Sequence, residues 1–456
     1  MPILSPEILP LLSVFAPAMT APTFANLRVL VTGVILAPGR RTVASALRAV
    51  GLEGCRNFGK YHRFFSRAHW CSLCLSRLLL ALLIRCFLPP GVALQLIFDE
   101  TIDRRRGKQV EIRGLFRDAV LSTASRITYC WGIRWLCVCL LVEVPWSSRP
   151  WALPFLLMPV LSEKTCVRLH RRHRTLTQVA ALAVERVRRW QPEREIAVVG
   201  DGSYAAVPLV LHCQQQEKPV VLVSRLRLDA VLHDPPGPRP EGKRGPKPKK
   251  GARQPSLEAR LAARETVWEK VSLRWYGGGS RTVEIATGTS LWYRPGYAPA
   301  PIRWVLVRGQ KGQKGASAIQ AGACFCSDPD KTPEQILAWF IARWNIEVTF
   351  EEIRAHLGFE TQRHWSRRAV ARVTPCLFGL FSLVVVLAKV LHPKTLPLSQ
   401  SAWYQKEEAT FSDALAAVRG HLWGCSKYTN SLPQDDHYLI PSALWRRIQR
   451  VACYAA

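Results

Sequence analysis

The period of apolar positions changes several times along the chain, and each change predicts an element. From Ala25 to about Pro89 the pattern is helical, and Arg40 to Leu52 reads as a helix closed by a turn glycine, Gly51. Beyond Pro89 and Pro90 the texture becomes strand-like. Val92 to Phe98 is a continuous apolar run, suited to a strand buried on both faces. Tyr129 to Pro145 predicts one or two more strands, Ser162 to Trp190 a long basic amphipathic helix, and Glu195 to Gly200 a short buried strand. Strands separated by a helix predict an α/β sheet with crossover connections. Val267 to Arg308 alternates and carries Trp268, Trp275, Tyr276, Trp292, Tyr293 and Trp304. With turn signals at Gly277-Gly278-Gly279 and Pro295-Gly296, it predicts antiparallel hairpins. Thr332-Pro333-Glu334-Gln335 caps a helix expected to run to about Leu357 and to stop at Gly358. No fixed-period repeat is present.

Three stretches break or imitate these patterns. Asp234 to Ser256 holds seven prolines, seven Lys or Arg and four glycines in 23 residues, so it forms no core and reads as a basic flexible linker. Its cations serve either as a phosphate-binding tether, through Lys243, Arg244, Lys247, Lys249 and Lys250, or as a solvated loop. Leu75 to Leu88 and Cys376 to Leu391 are apolar, but the first contains Arg77 and Arg85 and the second spans 16 residues with Lys389 inside. A spanning helix needs about 20 apolar residues, so both read as buried core helices and no membrane is expected. Met1 to Pro22 has no basic start and five prolines, which does not suit a signal peptide.

Composition narrows the partner. The chain has 456 residues, enough for two or three domains, and its 48% hydrophobic and 21% charged residues are those of a folded protein. Against 33 Asp and Glu stand 63 Lys and Arg, a net charge of +30. Such an excess implies a polyanion, because a basic surface gains affinity by releasing counterions from phosphates. An anionic membrane surface is the other polyanion to weigh. Asn57 to Trp70 interleaves aromatics and bases, as in Tyr61, Arg63, Phe64 and Arg67. That pattern fits either a helix-turn-helix lying on DNA or an amphipathic bundle with a solvated basic face. The 14 cysteines sit mostly among apolar residues and read as buried free thiols in a cytoplasmic protein. Cys71 and Cys74 form the only C-x-x-C, with nothing to complete a zinc site.

Against this basic background, three carboxylates stand out. Asp99 is expected to end the strand Leu94 to Phe98, and Asp201 to end Ile196 to Val199. Acids at the carboxyl ends of core strands lie where open α/β sheets form their ligand crevices. Glu347 lies on the helix after Pro333, on one predicted face with Phe340, Arg343 and Arg354, at offsets of three, four and seven. Oxygen ligands suit Mg²⁺, and guanidinium groups suit phosphates. Taken singly, each acid has a structural or solvated reading, and Arg343 with Glu347 also reads as a helix-stabilising surface pair. Asp103 and Glu351 compete for the same roles as Asp99 and Glu347.

The set Phe340, Arg343, Glu347 and Arg354 resembles the Tyr-(2)-Arg-(3)-Glu-(6)-Lys signature of one branch of bacterial DDE-type insertion-sequence transposases, with Phe for Tyr and Arg for Lys. The resemblance extends to Phe98-Asp99-Glu100-Thr101, Gly200-Asp201-Gly202 and Arg343 to Arg363. It implies an α/β fold: a ribonuclease H-like catalytic core with a β-rich insertion between Asp201 and Glu347. It also implies two Mg²⁺ or Mn²⁺ ions on Asp99, Asp201 and Glu347, with Arg343 and Arg354 on phosphates near the cleavage site. Cutting at terminal inverted repeats, joining of 3′ ends to target DNA, and a dimer or larger assembly on double-stranded DNA follow from the same likeness. The expected division is 1–90 helical and DNA-binding, 91–232 first part of the core, 233–315 linker and insertion, 316–392 second part of the core, and 393–456 C-terminal helices. Two alternatives remain open: a non-catalytic DNA-binding derivative, and a structure-selective nuclease without strand transfer.

Overall fold

The computed structural model describes residues 5–118, 120–123, 125–238, 247–275, 279–309, 320–425 and 441–455. Five helices come first: α1 (Leu9–Ser13), α2 (Ala21–Leu36), α3 (Val43–Ala49), α4 (Gly59–Ser66) and α5 (Ser72–Phe87). Leu11 and Leu12 of α1 and Leu79, Leu80, Leu82, Leu83 and Ile84 of α5 are buried in the main core, whereas α2, α3 and α4 close a smaller cluster around Val29, Leu47, Phe64 and Trp70. Gly33 permits the close approach of α2 and α3, since a Cβ there would lie 2.3 Å from the Ala46 carbonyl oxygen.

The sheet follows from the apolar runs. β1 (Leu94–Arg104), β2 (Gly114–Arg117), β3 (Tyr129–Val142) and β4 (Trp151–Val160) are joined antiparallel, with β3 between β1 and β4. After α6 (Glu163–Arg168) and α7 (Leu176–Trp190), β5 (Ile196–Val199) pairs parallel with β1. α8 (Val207–Gln214) then leads to β6 (Val220–Leu226), which pairs parallel with β5. Leu136 to Leu140 of β3 are 0% exposed on both alternating faces, so the sheet is covered on both sides. The helix expected over Ser162 to Trp190 is two helices. His170 takes a positive φ of 50° between them, and Thr175 opens α7 with a reciprocal capping box to Gln178.

The remaining strands are β7 (Leu232–His233), β8 (Glu269–Arg274), β9 (Ser280–Trp292), β10 (Ala300–Arg308) and β11 (Gly322–Cys326), with α9 (Leu257–Ala262) after the basic stretch. The expected β-rich insertion is therefore present as strands, but they continue the core sheet: β11 pairs with β6, β10 with β11 and β9 with β10. The turn glycines Gly277 and Gly278, with Tyr276, lie outside the described residues. Trp304 is core, 4% exposed, and its indole donates to Ser290 Oγ at 3.0 Å.

α10 (Pro333–Ala342), α11 (Asn345–Leu357), α12 (Arg367–Leu391), α13 (Phe411–Cys425) and α14 (Ser442–Tyr454) complete the chain. α12 is longer than the 16-residue apolar stretch within it. By length and composition it could cross a membrane, yet 72% of its most apolar window is buried among α4, α5, α13 and β4. Together these elements make a mixed α/β fold with one large mixed sheet, consistent with the ribonuclease H-like core expected from the sequence.

Candidate active site

β1 and β5 run parallel in the register Ile97 to Val199. Two residues beyond each partner stand Asp99 and Asp201, so the 102-residue offset of the register is also the offset of the two acids. β1 does not end at Phe98, as the apolar run suggested. It continues to Arg104, because β3 keeps pairing with it from Asp99–Cys137 to Arg104–Gly132. The pairing with β5 does stop at Ile97, and Asp99 projects where the two strands part. Asp201 follows its strand as expected, after Gly200. A Cβ on Gly200 would lie 2.5 Å from the Tyr204 ring, so glycine lets the chain turn tightly here. The Asp201 carboxylate accepts from Ser203 N at 2.9 Å and from Ser203 Oγ at 3.3 Å.

Glu347 arrives from the other side of the sheet order. Thr332 caps α10 as expected, its hydroxyl accepting from Gln335 N at 3.3 Å. The expected single helix to Leu357 is broken at Arg343 and Trp344, where the amides of Arg343, Trp344, Ile346 and Glu347 bond three residues back. This tightened turn rotates the faces. Phe340 stays on α10 and packs against the cluster of Val199, Val223 and Ile336. Glu347 falls in the first turn of α11, where the helix dipole favours a carboxylate. The four signature residues therefore do not share one uninterrupted helical face. Gly358 ends α11 with φ 67°, as its position predicted.

Arg343 sits between the acids. Its Nη1 donates to Asp99 Oδ2 at 2.9 Å and its Nη2 to Glu347 Oε1 at 3.1 Å, and its Nε is buried without a partner. Burial pushes the Asp99 carboxyl up to about 7. Arg343 and the Glu100 amide oppose that rise, while Asp201 and Glu347 add to it, so the three acids share one field. Glu100 is also raised by burial, against an ion pair with Arg134, and its Oε2 has no partner. A cavity of about 840 Å³ opens here, rimmed by Asp99, Glu100, Ser203, Trp344, Glu347 and Arg354.

The competing acids separate clearly. Asp103 is 0% exposed, paired with Arg105 at 2.9 Å and accepting from Thr374 at 3.0 Å, which makes it part of the frame. Glu351 is exposed on the cavity wall. Arg354 reaches the same cavity and donates to Thr101 Oγ1 at 2.8 Å and Glu360 at 3.4 Å. Sequence reasoning missed Glu100, Arg134, Arg104 and Asp118, which line the cavity as well. Glu100 had a signal in its position beside Asp99, but Arg134 is placed by the β1–β3 register alone.

In the basic stretch, Lys243 and Arg244 lie outside the described residues. Lys247 and Lys249 are exposed, and Lys250 stands 3.9 Å over the Tyr293 ring. The ends of the stretch are not loose: Asp234 N bonds Ala252 O at 2.9 Å, and Gln254 N bonds Leu232 O at 2.9 Å.

Asp99, Asp201 and Glu347 fit a hard divalent cation in kind, since all three offer carboxylate oxygen, and Glu100 beside them keeps a buried Oε2 without a partner. As the side chains stand, no three His, Cys, Asp or Glu among the described residues converge on one point. Arg343 supplies the positive charge between Asp99 and Glu347.

A family model described as "DDE superfamily endonuclease" matches residues 14–282, more than half of the chain, a span that includes Asp99 and Asp201 and ends before Glu347. No curated protein matches the chain. A matching solved structure is the "Cryo-EM structure of piggyBac transposase synaptic complex with hairpin DNA (SNHP)", with a TM-score of 0.41 and 10% identity, covering 98% of this chain and 82% of that one.

Proposed function

The chain belongs to the DDE superfamily endonucleases, and from that premise we propose that it is an insertion-sequence DNA transposase. In this reading it cuts at the terminal inverted repeats of its element and joins the 3′ ends to target DNA. The observation that carries the reading is the parting of β1 and β5 at register-matched Asp99 and Asp201, with Glu347 tied to Asp99 through Arg343.

Asp99, Asp201 and Glu347 would hold Mg²⁺ or Mn²⁺, two ions per site. Bound there, the ions would activate the attacking oxygen and stabilise the leaving one in an in-line displacement. The chain's own contribution is placement and charge. Arg343 holds Asp99 and Glu347 together, and its guanidinium would suit a phosphate of the bound strand. Arg354, fixed by Thr101 and Glu360, presents a second guanidinium on the same wall. The net charge of +30 holds double-stranded DNA over the cleft, and two element ends call for a dimer or larger assembly acting in the bacterial cytoplasm.

A strand-transfer assay tests this reading. Purified protein, Mg²⁺, precut ends carrying the repeats that flank the gene, and a supercoiled plasmid should give joined products. Cleavage without joining would leave a nuclease, and DNA binding without cleavage would leave a non-catalytic binder.

A further inference from the structure

A second cavity, of about 630 Å³, adjoins the acidic cleft, and Arg104 lines both. It lies between the segment after β1 and the segment linking α11 to α12. Arg105 clamps the two segments: it pairs with buried Asp103 and donates to Gln362 Oε1 at 3.0 Å and to the Gln362 carbonyl. The cavity is therefore built on a buried frame rather than on loose surface chain.

Its chemistry is uneven in an informative way. Arg40, Arg106, Lys108 and Arg363 line it, are exposed, and make no ion pair among the described residues. Among the described residues Glu360 is the only acid on the wall, and Arg104 and Arg354 already neutralise it. Trp365 stands at the same wall with 60% of its surface exposed. Gln362 is 8% exposed, and its Nε2 is buried with no partner. His364 Nδ1 is likewise buried and unpartnered, and burial, reinforced by Arg105 and His62, pushes this imidazole down to about 4. The ring is neutral at physiological pH and offers one donor and one acceptor.

Unpaired cations, an exposed indole and unsatisfied polar atoms in one cavity match the parts of a nucleotide: phosphate, base face and base edge. We propose that this cavity holds an unpaired nucleotide of the DNA strand being processed, with its base on Trp365, its edge toward Gln362 and His364, and its phosphates on Arg106, Lys108, Arg363 and Arg40. A strand lying in the acidic cleft reaches the cavity past Arg104, which borders both, and this favours the substrate strand over a free nucleotide. The inference rests on the DNA-processing reading above and specifies where an unstacked base goes.

The test is binding in EDTA, which separates it from cleavage. Fluorescence anisotropy compares a blunt duplex with the same duplex bearing a short unpaired 3′ tail, using the full-length chain. Wild type should prefer the tailed duplex. Trp365→Ala should weaken tailed binding about 10-fold, as expected for one lost base stack, and change blunt binding little. Trp365→Phe should restore most of the preference. Arg106→Gln with Lys108→Gln should flatten the salt dependence of tailed binding. Equal effects of Trp365→Ala on both duplexes, or no effect on either, would overturn the proposal. Displacement of the tail by free dAMP at matched concentration would also overturn it, by assigning the cavity to free nucleotides. Failure here leaves cleavage by Asp99, Asp201 and Glu347 untouched, and the loss of cleavage leaves this binding measurable.

Discussion

Arg343 donates to Asp99 across 2.9 Å, joining the break between α10 and α11 to the middle of β1. Both side chains are 15% exposed, so the pair is largely shielded from water, and the same guanidinium bonds Glu347. Removing one partner of a buried pair leaves the other charge uncompensated. Arg343→Gln should lower stability without added metal by about 2 kcal/mol. Added Mn²⁺ should then raise its melting temperature more than that of wild type, because a cation that binds only the folded state stabilises it. Thermal melts with and without Mn²⁺ check this. An Mn²⁺ shift smaller than that of wild type would show that Arg343 does not stand in the cation's place.

Asp99 and Asp103 lie on the same strand but do different work. Asp103→Asn should cost about 3 kcal/mol, because it leaves Arg105 buried without its counter-charge. Asp99→Asn leaves Arg343 still paired with Glu347, so its melting temperature should fall far less. Paired denaturant titrations of the two variants decide the matter, and a larger loss for Asp99→Asn would reverse the assignment.

How much of this was readable from residues alone varies with the kind of interaction. Thr332, Pro333 and Gly358 marked helix ends correctly because capping is local chemistry. Asp201 was legible as well, since Ile196 to Val199 is a short apolar run bounded by glycine. The length of β1 was not, because Asp99 to Arg104 is polar on alternate positions and is held in the strand by pairing with β3. The break at Arg343 was equally hidden: both residues there keep helical dihedrals, and only the hydrogen-bond partner shifts. The hairpins were expected, but nothing local says which sheet edge they join. The cavity beside the cleft depends on Arg105 reaching Gln362 across 257 positions, beyond any local pattern.

His364 predicts a pH dependence. Its imidazole is pushed down to about 4 by burial, with Arg105 and His62 adding to the effect, and its ring meets Phe65 at 5.5 Å. An unfolded histidine titrates near 6.5. Between those values the unfolded chain binds the proton and the folded chain does not, so stability falls as pH drops from about 6.5 to about 4. The loss attributable to this residue should be about 2 kcal/mol, and His364→Gln should reduce the slope. Chemical denaturation at several pH values measures it, and identical slopes for the two proteins would contradict it.

Arg372 on α12 holds the end of α4. It donates to the carbonyls of Phe65, Ala68 and Trp70, at 3.2, 2.9 and 2.6 Å, and stacks 4.2 Å from the Trp70 ring. Arg372→Ala leaves three carbonyls short of a donor, a loss of about 2 kcal/mol. Hydrogen exchange should rise across α3 and α4 while β1 and β3 stay protected. Uniform exchange across the chain would show that these helices do not open as a unit.

The most direct test of the account is single-turnover cleavage of a labelled terminal-repeat duplex in Mg²⁺ by Asp99→Asn, Asp201→Asn and Glu347→Gln, each first shown to melt as a folded protein. The account predicts that each variant cuts at least about a thousandfold more slowly than wild type, ~4 kcal/mol of barrier, while still binding the duplex. Wild-type cutting by any one of the three would contradict it.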